Sequence, residues 1–141
     1  MKTLFALVLS LSATVAMAAT PAEVFNSNHM IGKFGATCHG DVRDFHTEGD
    51  NVVVDLPVAG TVNHYVFMSA TQLDPKLVHA IGTVTYSASG RTVTVVIVYK
   101  LDGDGRFRAA ETIVDGEQYV RDGLKCDGNP TPWLQPCFSA N

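Results

Sequence analysis

Basic residues are scarce in this 141-residue chain, ten Lys and Arg against fourteen Asp and Glu, and they are scattered along it. Nucleic-acid binding needs a basic stripe that displaces counterions, and anionic lipid needs a basic cluster, so neither partner is expected. After the first eighteen residues no apolar run approaches the roughly twenty residues of a membrane-crossing helix. There is no Gly-x-Ser-x-Gly elbow, no His-Glu-x-x-His pair and no phosphate-binding Gly loop, which removes the common hydrolase, zincin and nucleotide-binding signatures. The one Asn-x-Thr sequon, Asn129-Pro130-Thr131, is blocked by its Pro. Trp occurs once, at 133, and Cys three times, at 38, 126 and 137.

What is present begins with an export signal. Lys2 gives a positive start, Leu4 to Leu11 a short apolar run, and Ala16-Met17-Ala18 a small-x-small cleavage pattern. Residues 1–18 are therefore expected to be removed, leaving one β-rich domain over 19–141 whose tail, 122–141, is Pro-rich and irregular. A periplasmic or secreted bacterial protein is expected, with no lipid anchor. In the mature part nine basic residues stand against fourteen acidic ones, a net charge of −5 with His neutral, which suits a basic protein partner.

Thr20-Pro21-Ala22-Glu23 has the form of a capping box with Pro at the first helical position, so a helix of one to three turns is expected before Gly32. From there the apolar pattern alternates. Lys33 to Cys38, Val42 to Thr47, Val52 to Leu56, Thr61 to Ala70, Val78 to Ser87, Arg91 to Leu101, Arg106 to Val114 and Glu117 to Arg121 read as strands separated by turn residues. Asp115-Gly116 is a two-residue hairpin signal. The fold class is mainly β: an antiparallel meander of about eight strands as a curved sheet or small barrel, with one short N-terminal helix. Arg91 to Leu101 is apolar on both faces at its centre, so its second side is expected to be covered by the helix, the tail, a second sheet, or a ligand or partner.

Three cysteines in an oxidising compartment imply one disulfide and one free thiol. Cys126 is nearer Cys137 in sequence, but Pro130, Pro132 and Pro136 stiffen that segment, which weighs towards Cys38 with Cys137 and leaves Cys126 with Cys137 as the alternative. Gly32-Lys33-Phe34 followed by Cys38, and the closing Pro130-Thr131-Pro132-Trp133-Leu134-Gln135-Pro136-Cys137, resemble the two ends of small exported bacterial proteins of unassigned function. The Gly-x-aromatic start is also similar to the opening of lipocalin-like barrels. The resemblance implies a calycin-like barrel stapled from Cys38 to Cys137, and no activity.

Four constellations bear on chemistry. Strand alternation puts Asp44, His46 and Glu48 on one side, where an imidazole between carboxylates can act as a general base, or bind zinc if His39 or His64 folds in beside it. Ordinary polar-out alternation explains the same pattern. Asp102, Asp104 and Glu111 match part of an EF-hand loop, but Lys100 stands where its first carboxylate belongs and a strand precedes it, so a hairpin turn is the expectation and no cofactor is implied. Trp133 is either an exposed anchor for a partner or an apolar plug. Ser89-Gly90 begins a loop like that of exported lysozyme inhibitors, with Val93 in place of its Tyr. The leading expectation is a non-catalytic binding module, inhibitor or immunity-like, for a cationic protein. A lipocalin-like carrier of a small apolar ligand is the alternative, followed by a hydrolase or metal enzyme centred on His46.

Overall fold

The computed structural model describes residues 18–138; the expected leader, apart from Ala18, lies outside the described residues. Helix α1 (Pro21–Ser27) starts where the capping box lies: Glu23 N–H donates to Thr20 Oγ1 at 3.2 Å and Thr20 N–H to Glu23 Oε2 at 3.4 Å. Its short length follows from Ser27 and Asn28, whose side chains both donate back to the Val24 carbonyl instead of extending the helix. Thr20→Ala should cost about 1 kcal/mol, read as a lower urea midpoint at unchanged m-value.

Ten strands follow, β1 (Gly32–Gly35), β2 (Arg43–Glu48), β3 (Asn51–Val58), β4 (Thr61–Asp74), β5 (Leu77–Thr85), β6 (Thr92–Leu101), β7 (Phe107–Val114), β8 (Glu117–Arg121), β9 (Leu124–Lys125) and β10 (Gln135–Pro136). They form one antiparallel sheet in the order β10-β1-β2-β3-β4-β5-β6-β7-β8-β9, curled into a half-barrel. The meander expected from the alternating pattern is thus present, with ten strands in place of eight. The two extra pairings lie in the Pro-rich tail. Pro136 lacks an N–H and is tolerated because β10 sits at the edge of the sheet. The first strand ends at Gly35, short of Cys38; the chain turns so tightly that a Cβ on Gly35 would lie 2.5 Å from the Thr37 carbonyl oxygen. Asp115 and Gly116 take φ of 52° and 81°, the left-handed values a two-residue hairpin needs.

Inward positions come from the period-two pattern. Phe45, Val52, Val54, Phe67, Val84, Val95, Ile97, Tyr99 and Phe107 are buried, and α1 lays Val24 and Phe25 across them. One end of the curl is filled by aromatic rings: Phe25 stacks on Phe67 at 5.8 Å and meets Tyr99 edge-on at 6.0 Å, while Phe107 sits 4.8 Å from Phe34 and 5.3 Å from Phe45. The helix is fixed at this end by Ala22 N–H donating to the Asp50 carbonyl and by Asn28 donating to Gln72.

The tail fastens the curl. Leu134 is buried in the core and exchanges backbone hydrogen bonds with Phe107, while the Cys137 N–H donates to Lys33. One stretch of chain therefore holds the start of β7 and, through β10, pairs with β1. The disulfide Cys38–Cys137 locks that arrangement, and Cys126 is free and exposed. On β6 the inward Val93, Val95, Ile97 and Tyr99 are buried, whereas Thr92, Thr94 and Lys100 are exposed and Val96 and Val98 half-buried.

Candidate functional site

Where the aromatic rings end, the curl is hollow. The inward residues there are smaller: Val54 and Leu56 from β3, Ile97 from β6, Ala109 and Thr112 from β7, and Val120 from β8. Together with Tyr65 and Tyr99 they wall a hollow of about 320 Å³, inside the range of small-molecule sites. Lys125 and Pro132, both exposed, stand on its rim with buried Thr131.

A charged side chain at the start of β2 joins this lining. Arg43 shares the inward face of β2 with Phe45, and its Nε is buried without a hydrogen-bond partner. A buried guanidinium N–H left unpaired is costly, and such a group asks for a partner that the protein itself does not supply. The charged residues of the lining, Arg43 and Lys125, are both cationic, with no carboxylate among them. Burial pushes the Tyr99 hydroxyl far above its ordinary value, with the Arg43 charge acting the other way, so Tyr99 remains a neutral donor or acceptor facing the same space.

The outer face of the same strands carries a second cluster. Asp44 pairs directly with Asp55 across β2 and β3, and Asp55 with His64 across β3 and β4. His64 Nδ1 lies 2.7 Å from Asp55 Oδ1. His46 Nδ1 lies 3.9 Å from both Asp44 Oδ2 and Asp55 Oδ2, and its Nε2 lies 3.6 Å from Glu48 Oε1. The sequence puts Asp44, His46 and Glu48 together, and the fold adds His64 and Asp55 to them. An open groove of about 570 Å³ runs beside this cluster, lined in part by Asp44, Asp55, His39 and the disulfide. Among the described residues the hydrogen-bond partner of the His64 ring is the Asp55 carboxylate, and no hydroxyl or thiol is hydrogen-bonded to either imidazole.

The remaining sequence candidates lie apart. Asp102 caps the β6–β7 turn: its Oδ1 accepts from the N–H groups of Asp104 and Arg106, and its Oδ2 accepts from Arg106 Nε at 2.6 Å. Desolvation opposes its ionised form, but these donors outweigh it and hold the carboxyl below its ordinary value. Glu111 faces outward on β7 opposite Val98, roughly 13 Å along the strand from Phe107 at 3.3 Å per residue. Trp133 is half-buried with its ring over the guanidinium of Arg108 at 4.6 Å and of Arg106 at 5.7 Å, a cation–π stack that fastens the tail to the outer side of β7. Leu134, next to it, is the residue that enters the core.

Arg43 and Asp55 do not stand out in the sequence, although a signal for each is there. Arg43 is two residues from Phe45 and so must share its inward face. The two-residue turn Gly49-Asp50 sets a register that puts Asp55 opposite Asp44. No protein-family model, curated protein or solved structure matches the chain.

Proposed function

We propose that the protein is an exported, non-catalytic binding protein that holds a small anionic amphiphile in the hollow of its half-barrel. The observation that carries this reading is the buried, unpaired Nε of Arg43 on the wall of a largely apolar hollow. An apolar ligand body covers Val54, Leu56 and Ile97, while an acidic head accepts from Arg43, with Lys125 adding charge at the rim. Export is supported by the leader-like start and the Cys38–Cys137 disulfide. No helix among the described residues is long and apolar enough to cross a membrane.

Displacement of an anilinonaphthalene sulfonate probe by decanoate tests the reading. Decanoate should bind with at least ten times the affinity of decyltrimethylammonium, and Arg43→Met should remove that preference, a loss of about 1.4 kcal/mol or more. Equal affinity for the two amphiphiles, or a preference untouched in folded Arg43→Met, would contradict it.

A second reading, recognition of a basic protein in the manner of an inhibitor or immunity protein, is supported by the outer face of β4 to β7. Met68 and Ile81 are exposed there beside half-buried Val96 and Ile113, on a chain of negative net charge. Association that slows with added salt and is blocked by Ile81→Asp would favour it.

A further inference from the structure

The outer cluster on β2 to β4 is independent of the hollow, since its residues project from the opposite face of the sheet. Directly opposed like charges destabilise a strand pair, yet Asp44 and Asp55 face each other at such a position. Between them lies His46 Nδ1, buried and without a hydrogen-bond partner, 3.9 Å from an oxygen of each carboxylate. One donor atom from each of Asp44, His46 and Asp55 falls within 4.8 Å of the others. Both the opposed carboxylates and the unmet nitrogen are resolved by a cation placed among them.

We propose that Asp44, His46 and Asp55 bind a divalent zinc ion, with His46 coordinating through Nδ1. Mixed nitrogen and carboxylate ligands suit zinc, and three protein ligands leave a position for water on the side of the neighbouring groove. The surroundings fit that tautomer. Coordination through Nδ1 leaves the proton on Nε2, which is the nitrogen facing Glu48 Oε1 at 3.6 Å. His64 Nδ1 at 2.7 Å from Asp55 Oδ1 holds that carboxylate so that Oδ2 is the oxygen turned towards His46. Glu48 and His64 are thus positioning residues around three ligands.

Calorimetric titration of untagged, chelator-treated protein with zinc chloride should show one saturable event of one equivalent. His46→Ala and Asp55→Asn should abolish it, whereas Glu48→Gln and His64→Ala should each weaken it by about 10-fold or more. Cys126→Ser and Asp104→Asn should leave it unchanged, which separates this site from the free thiol and from the β6–β7 turn. Melting curves recorded without zinc establish that each variant is folded, and zinc should raise the melting temperature of the parent protein but not of His46→Ala. Absence of a saturable event, calcium binding as tight as zinc, or an event that survives both His46→Ala and Asp55→Asn would overturn the site.

Discussion

Gly82→Ala should destabilise the protein by roughly 3 kcal/mol or more, among the largest effects expected of a single methyl group. Gly82 lies mid-strand in β5, between Phe67 of β4 and Val95 of β6. A Cβ placed there overlaps the Val66 carbonyl oxygen and comes within 2.7 Å of the Val66 carbonyl carbon and 2.8 Å of the Phe67 Cα. All three are backbone atoms, so no side chain can rotate away to relieve the clash. The close approach has a local cause. β4 carries an extra residue, Met68, between the pairs Phe67–Gly82 and Ser69–Ile81, and such a bulge bends its strand and increases the twist. The bend helps to roll the sheet around the hollow. Gly40→Ala is the control, because its added carbon meets only the Thr37 hydroxyl at 3.2 Å in an exposed loop. Equilibrium urea unfolding measures both; a Gly82→Ala protein as stable as the parent would mean that β4 and β5 do not approach this closely.

Removing the Cys38–Cys137 bond, by reduction or by replacing both residues with Ser, should cost about 4 to 5 kcal/mol. The bond closes a loop of sequence separation 99, nearly the whole domain, so its loss releases a large conformational freedom in the unfolded chain. In the folded state the tail is then held by the two-residue pairing of β10 with β1, by the Leu134–Phe107 backbone bonds and by the Trp133 stack on Arg108. Cys126→Ser, at an exposed thiol, should change stability by no more than about 0.5 kcal/mol. Denaturation midpoints with and without reductant decide the matter, and coincident midpoints would show that the tail does not need its staple.

The strands were legible because their alternation is regular and their turns carry Gly and Asp at the positions where left-handed backbone is required. The capping box marked the start of α1 for the same reason: each cue is a local hydrogen bond or a steric permission written in four residues or fewer. The tail reads as irregular because strands of two residues have no period to detect, and β10 owes its pairing to a partner about a hundred residues away in sequence. The outer face of β6 is expected to be covered by helix, tail, a second sheet, a ligand or a partner; the chain itself leaves Val96 and Val98 half-buried there and Thr94 and Lys100 exposed. Three of the five residues of the outer cluster, Asp44, His46 and Glu48, are visible in the spacing, whereas Asp55 requires the register of β2 on β3. Arg43 is hard to see in the sequence because a lone Arg beside an Asp in a polar-looking strand reads as solvent-exposed; only the neighbouring Phe45 betrays that it points inward. The hollow follows in part from side-chain volumes: the Phe25, Phe34, Phe67 and Phe107 rings lie outside it, while Val, Leu, Ile, Ala and Thr share its wall with Phe45, Tyr65 and Tyr99.

The location of the ligand is the central point, and methyl-resolved NMR during titration with decanoate reads it directly. If the hollow is the site, the methyl signals of Val54, Leu56, Ile97 and Val120 shift and saturate together, those of the outward Ile81, Val96 and Ile113 stay in place, and Arg43→Met removes the response. Shifts confined to the outward methyls, or a spectrum unchanged at saturating decanoate, would contradict it.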